Sequence, residues 1–310
     1  MAGITDRPFR EIAERFGAGL VVSEMVASSA LTTGHEGMVR KLTRAGTLPH
    51  VVQLAGCEAQ WMAEGARIAE GAGADIIDIN FGCPAKRVTN GYAGSALMRV
   101  PDVALGIVEA VASATTRPVT VKMRLGWDDE SLNAPQIARL AVSAGAQMIT
   151  VHGRTRQQFY KGSARWTLVR EVVDAVDVPV VVNGDIVDAT SAQRALDESG
   201  AAAVMLGRGA QGQPWKVGQI GVALEGGVPA AAPEDEVLVA LIRQHYEEML
   251  LDYGVEVGLR AARKHLGWYA DAAGLNLDKG MRTRLLDNDD TKAVLALIGT
   301  LFSGEWRAAA

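Results

Sequence analysis

The chain has 310 residues, 48% of them hydrophobic and 22% charged, with a formal net charge of -5 at pH 7. That balance excludes a disordered chain, and no uninterrupted apolar run approaches the roughly 20 residues needed to span a bilayer. Two cysteines, Cys57 and Cys83, make no disulfide framework, and the chain does not open on a basic, apolar leader. An acidic total also excludes indiscriminate nucleic-acid binding while leaving room for a local basic patch. The expectation is a cytoplasmic protein with one large α/β domain and a small appendage.

In chain order, the first element is a helix. Phe9, Ile12, Ala13 and Phe16 share one face, with Asp6 as N-cap, Pro8 in the first turn and Gly17 as the stop. Seven short apolar runs follow: Leu20 to Met25, Val51 to Leu54, Ile76 to Phe81, Val119 to Leu125, Met148 to Val151, Val180 to Val182 and Ala203 to Leu206. Most are Val- and Ile-rich and nearly continuous, as parallel strands covered on both faces require. Segments with helical spacing separate them, which gives repeated βαβ units.

The strand entries take turns. Gly-Ala pairs at Gly17, Gly73, Gly145 and Gly200 precede the odd runs, and Pro49, Pro118 and Pro179 precede the even ones. Alternating strand types suit a barrel, in which alternate strands fill alternate core layers. The fold expected is a TIM (β/α)8-type barrel lacking its first strand, which would lie upstream of Met1. Gly218 to Pro233 reads as a linker rich in Gly, Ala and Pro. Beyond it, Glu234 to Tyr253, Glu256 to Ala270 and Asp289 to Phe302 read as helices. In the first of these Val237, Leu241, His245 and Met249 share a face. The expected division is a barrel over 1–228 and an all-α domain over 234–310.

Barrels of this type carry their chemistry at the strand C-terminal ends. Gln53, Asn80, Lys122, Arg124, His152 and Asn183 stand at the ends of successive runs, and Gly207 and Arg208 follow the last. So many polar residues from different strands are better explained as a site than as turn formers. The loops Asn183-Gly184-Asp185 and Gly207-Arg208-Gly209 occupy the places where such barrels bind phosphate through backbone N–H groups. In Asn80-Phe81-Gly82-Cys83-Pro84 a thiol follows a strand by two residues, outside any strand or helix core. A thiol with an ordinary pKa near 8.5 is mostly protonated at neutral pH and can donate a proton.

Together with Met1-Ala2-Gly3-Ile4-Thr5-Asp6-Arg7-Pro8-Phe9-Arg10, Val121-Lys122-Met123-Arg124 and His152-Gly153-Arg154-Thr155, these motifs resemble the tRNA-dihydrouridine synthases, the bacterial B-type branch above all. The likeness runs in order along almost the whole chain. It implies an FMN-dependent reductase of specific uridines in tRNA, with NADPH as the electron source and a helical tRNA-binding domain. By the same resemblance Cys83 is the proton donor and Asn80 helps seat the target uracil. Met1, Ala2, Gln53, Lys122 and His152 contact FMN, and Asn183, Gly184, Asp185, Gly207 and Arg208 hold its ribityl phosphate. No separate dinucleotide fingerprint and no metal-ligand pattern is present, and no membrane or protein partner is expected.

A uracil stacked within tRNA must be turned out to be reduced. Arg154, Arg156 and Tyr160 on the rim are candidates to meet it. In the tail, the stretch Arg260 to Arg284 sets Arg260, Arg263, Lys264, Lys279, Arg282 and Arg284 against only Asp271 and Asp278, with Trp268 and Tyr269 between them. Interleaved cations and aromatics suit phosphate contact and stacking, although the tail as a whole is net acidic. Two rivals remain at this point: a flavin barrel acting on a free pyrimidine, as dihydroorotate dehydrogenases do, and an RNA-binding barrel without catalysis.

Overall fold

A computed structural model describes residues 3–303. The chain forms two compact units, one over Leu20–Gly207 and the other over Gly3–Gly19 with the residues from Arg208 onward.

The first unit is a parallel sheet of eight strand segments: β1 (Val21–Val22), β2 (Val26–Ala27), β3 (His50–Ala55), β4 (Ile76–Phe81), β5 (Val119–Arg124), β6 (Ala146–His152), β7 (Val180–Asn183) and β8 (Ala203–Met205). β1 lies in the first run and β2 just past its end, and both pair with β3, so the segments fill seven positions in sequence order, as the seven runs predict. Every pairing is parallel. Among the described residues no pairing joins β8 to β1. Helices such as Ala59–Gly71, Pro101–Ala114, Ala134–Ser143 and Ala189–Ser199 connect the strands. This is a TIM-type half-barrel. β3 is buried at all six positions, and β4 and β5 at five each, which is why their sequences run apolar without alternating.

The second unit is helical. Its first helix, Arg7–Arg15, starts where expected: the Asp6 carboxylate accepts from the Phe9 N–H at 2.9 Å, and Gly17 leaves the helix at φ 92°. Four more helices, Asp235–Tyr253, Val255–Ala272, Lys279–Leu286 and Thr291–Phe302, build its core with Ile12 and Trp215. Leu241, His245 and Met249 are buried as expected, whereas Val237 is 64% exposed. No strand follows Met205 among the described residues. No helix there is long and apolar enough to cross a membrane.

Two expectations fail here. Part of the expected linker is helix, Lys216–Leu224, and Gly218 lies so close to the Phe16 carbonyl that no Cβ would fit. That glycine serves a close approach of backbones rather than chain flexibility. The helix Lys279–Leu286 was not foreseen, because its polar sequence carries a single buried residue, Leu285, and so no apolar face.

Asp6, His245 and His265 are all buried in this unit. The Asp6 oxygens lie 3.8 Å from His245 Nε2 and 3.3 Å from His265 Nε2, and His245 Nδ1 is 2.9 Å from the Tyr269 hydroxyl. Burial pushes the His265 imidazole down to about 4 despite the carboxylate beside it.

Candidate active site

The site grows from the sheet register. Gln53 pairs with Asp78 across β3 and β4, Asp78 with Thr120 and Asn80 with Lys122 across β4 and β5, Arg124 with His152 across β5 and β6, and His152 with Asn183 across β6 and β7. Residues that are far apart in sequence therefore stand side by side across the sheet.

Asp78, which the sequence reading passed over, is the buried root of this array, with 4% of its surface exposed. One carboxylate oxygen accepts from the Thr120 hydroxyl at 2.6 Å and the other from Gln53 Nε2 at 2.7 Å. Burial pushes its carboxyl up, opposed by these two bonds and by the charge of Lys122. Gln53 Oε1 accepts from Asn80 Nδ2 at 2.8 Å, and Asn80 Oδ1 accepts from the backbone N–H groups of Gly82 (3.1 Å) and Cys83 (2.9 Å). The Asn80 amide is thus engaged within the protein at both ends. It seats the thiol-bearing loop.

Cys83 is held from its other side as well. Its carbonyl accepts from Ser95 N (3.1 Å) and Ser95 Oγ (2.9 Å). Gly94, at φ 61°, passes so near that a Cβ would stand 2.8 Å from that carbonyl oxygen, so only glycine fits. Cys83 itself is partly exposed.

Lys122 donates to Asn183 Oδ1 at 3.1 Å, and Asn183 Nδ2 donates to the Met205 carbonyl at 2.7 Å. Burial, with a smaller push from Arg124, brings the Lys122 ammonium down to about 8, opposed by Asp78 and Cys83. It remains mostly charged at neutral pH. The Asn183 side chain thus positions Lys122 and ties β7 to β8.

Two arginines on this rim proved to be loop holders. Arg124 is buried and donates to the carbonyls of Gly82 (2.8 Å), Thr155 and Phe159 (both 2.9 Å). Desolvation lowers its guanidinium to about 10. Arg154, expected to meet the substrate, is 2% exposed. Its guanidinium pairs with Asp185 at 2.6 Å and donates to the carbonyls of Gly162 (2.6 Å) and Lys161 (3.2 Å). It cannot both hold those partners and reach a nucleotide. Its task is to pin the loop on which Phe159 and Tyr160, each 41% exposed, meet edge to face at 4.7 Å. Arg156 lies over the Trp127 ring at 4.7 Å.

The Asp185 carboxylate, held by Arg154 and by the Ala164 N–H at 2.7 Å, is likewise turned to that loop. Gly184 adopts φ 111°, and a Cβ there would stand 2.7 Å from the His152 ring. Its carbonyl accepts from Trp166 Nε1 at 2.9 Å. Gly207 is half-buried just past β8, and Arg208, the first residue of the second unit in this part of the chain, is exposed. Met1 and Ala2 lie outside the described residues.

In the second unit three of the six expected cations stand beside acidic partners. Arg260 sits 3.3 Å from Glu256, Arg263 2.9 Å from Asp289 and Arg282 3.1 Å from Asp271. Lys264 is exposed, with its ammonium beside Gly3. Tyr269 is buried in the helical core and so cannot stack on a base, while Trp268 is half-buried against His265 at 4.9 Å.

The sheet end therefore carries a thiol-bearing loop held at both the N–H and the carbonyl of Cys83, with Lys122 on the neighbouring strand. The family described as dihydrouridine synthase (Dus) matches residues 1–300. The chain belongs to this family. As a dihydrouridine synthase it is an oxidoreductase. A probable tRNA-dihydrouridine synthase of Rhodobacter capsulatus is 55% identical over 305 residues, covering 98% of this chain and 93% of that protein. One of Rhizobium leguminosarum bv. phaseoli is 52% identical, with 96% and 91% covered. The tRNA-dihydrouridine synthase B of Xanthomonas axonopodis pv. citri is 46% identical, with 87% and 82% covered. Among solved structures, morphinone reductase superimposes with a TM-score of 0.50 at 15% identity, covering 76% of this chain and 84% of that one. Its complex with tetrahydroNAD gives 0.51 at 16%, covering 76% and 87%. At such identities the likeness is one of fold.

Proposed function

We propose that this dihydrouridine synthase reduces the C5–C6 bond of specific uridines in tRNA, with FMN as its bound cofactor and NADPH as its electron donor. The observation that carries the reading is the anchored Cys83 loop, with Lys122 at the register position beside Asn80.

The residues present suit a flavin. Lys122 offers an ammonium, His152 a ring nitrogen, and Gly184 and Gly207 offer backbone that no Cβ shields. FMN, when bound, supplies the hydride that adds to C6 of the uracil. Cys83 donates its proton to C5, which leaves a thiolate that solvent reprotonates. Lys122, charged below about pH 8, supplies positive charge to the electron-rich edge of the ring. Arg124 and Arg154 hold the loop that presents Phe159 and Tyr160 toward a turned-out base. Arg260, Arg263 and Lys264 are the cations of the helical unit proposed to meet tRNA phosphates.

The test is anaerobic. The full chain is reduced with NADPH, and reoxidation of its flavin is followed on adding tRNA, orotate or uracil. Reoxidation by tRNA alone is expected. Reoxidation by orotate or uracil but not by tRNA would replace the reading with a free-pyrimidine reductase. A flavin-free protein that still binds tRNA would replace it with a non-catalytic binder.

A further inference from the structure

Two carboxamides in series can point either way along their hydrogen bonds, since each has a donor end and an acceptor end. Gln53 and Asn80 form such a series, and the groups at its two ends decide its direction. At the far end stand the backbone N–H groups of Gly82 and Cys83, which can only donate, so Asn80 must turn Oδ1 toward them. Its Nδ2 then faces Gln53, which must answer with Oε1, and Gln53 Nε2 is left facing Asp78. Residue 78 must therefore present an acceptor. If it did not, the mismatch would pass from amide to amide until it reached the N–H of Cys83.

We propose that Asp78 is a positioning residue: its buried acceptor sets the direction of a relay through Gln53 and Asn80 that fixes the backbone of Cys83. Asp78 sits in the middle of β4, between Gln53 on β3 and Thr120 on β5, where the register brings all three abreast. It touches neither the thiol nor, by its burial, a substrate. Its influence on turnover rests on the proposed role of Cys83, but its influence on the loop does not.

Three variants of the full chain separate orientation from charge and from packing. Asn at position 78 can still offer Oδ1 to Gln53 and turn Nδ2 to the Thr120 hydroxyl, which can accept. Leu fills a similar volume and offers nothing. In Gln53→Met the chain length is kept and the relay is cut beyond an intact Asp78, which keeps the proposal testable should Asp78→Leu not fold. The direct readout is hydrogen exchange of the peptide containing Cys83, set against the helix Thr167–Val173 as an internal control. Relative to that control, exchange in Asp78→Leu and in Gln53→Met is expected to rise about tenfold, while Asp78→Asn stays within about threefold of the wild type. On tRNA, Asp78→Leu is expected to lose about tenfold in kcat with KM nearly unchanged, and Asp78→Asn to retain most of its turnover. Exchange in Asp78→Leu and Gln53→Met equal to the wild type would overturn the relay. Asp78→Asn as impaired as Asp78→Leu would also overturn it, because the charge and not the acceptor would then be what matters. If exchange rises as expected but no chain makes dihydrouridine, the relay stands and the proposed function falls.

Discussion

The two units bury polar residues to different ends. In the sheet unit the buried groups form a directional series, from Thr120 and Asp78 through Gln53 and Asn80 to the Cys83 loop, with each donor meeting an acceptor within 2.6–3.1 Å. In the helical unit Asp6, His245 and His265 converge at 3.3 and 3.8 Å, contacts outside good hydrogen-bond geometry. Short, saturated bonds fix one geometry, as a reacting group requires. Longer, incompletely satisfied contacts tie elements together without aiming anything. The sheet unit should therefore lose activity before stability when its polar groups are changed, and the helical unit the reverse.

The largest departure is expected at Lys122. Lys122→Met should lower turnover by about ten- to a hundredfold while leaving the fold intact, measured as kcat on tRNA beside a thermal melt. The pH dependence sharpens this. Burial pushes Lys122 down to about 8 in the folded chain, from its ordinary 10.5 when unfolded. Activity should thus fall as pH rises through 8. Between 8 and 10.5 the unfolded chain binds the extra proton, so this group's contribution to stability rises over the same window. Activity and stability should move in opposite directions in the wild type, and the rise in stability should not survive in Lys122→Met.

Next comes Asp6. Asp6→Ala removes the N-cap of the helix Arg7–Arg15 and leaves two buried imidazoles without their carboxylate, at a cost of about 2–4 kcal/mol in denaturant titration. Acid should weaken the same place. The unfolded chain takes up a proton near pH 6.5 that His265 resists until about 4, so stability is lost as pH falls across that interval. A chain equally stable at pH 7 and pH 4.5 would contradict the buried, neutral state of His265.

Gly184→Ala lies between the two kinds of effect. Its Cβ would press on the His152 ring from a backbone at φ 111°, at a cost of about 1–3 kcal/mol, and the displaced ring should lower turnover as well. Melting temperature and kcat should fall together. The smallest change is expected from Arg260→Ala. The exposed pair with Glu256 contributes under about 1 kcal/mol, so the melt should barely move. tRNA affinity should weaken a few-fold, and the slope of log affinity against log salt should shrink by about one phosphate contact.

The strands were legible because they are covered on both faces and leave an unbroken apolar record, and the rim residues because a strand end is marked in the chain itself. Pairing across the sheet leaves no such mark. Arg154 looked like a free rim cation because its partner, Asp185, lies 31 positions away. The cations of the helical unit looked like a patch because Asp289 and Glu256 fall outside the Arg260–Arg284 stretch that was counted. Asp78 did leave a signal: a charged residue inside the apolar run Ile76 to Phe81 must find partners when both faces are covered. Its partners, Gln53 and Thr120, lie on other strands and leave no mark in the run itself.

The most direct test of the account is dihydrouridine formed on tRNA, located by mass mapping, with the wild type beside Cys83→Ala, each supplied with FMN and NADPH. The account predicts product from the wild type at defined uridines, and a rate about a hundredfold or more lower in a Cys83→Ala chain that still folds and binds FMN. Equal rates from the two proteins would contradict it.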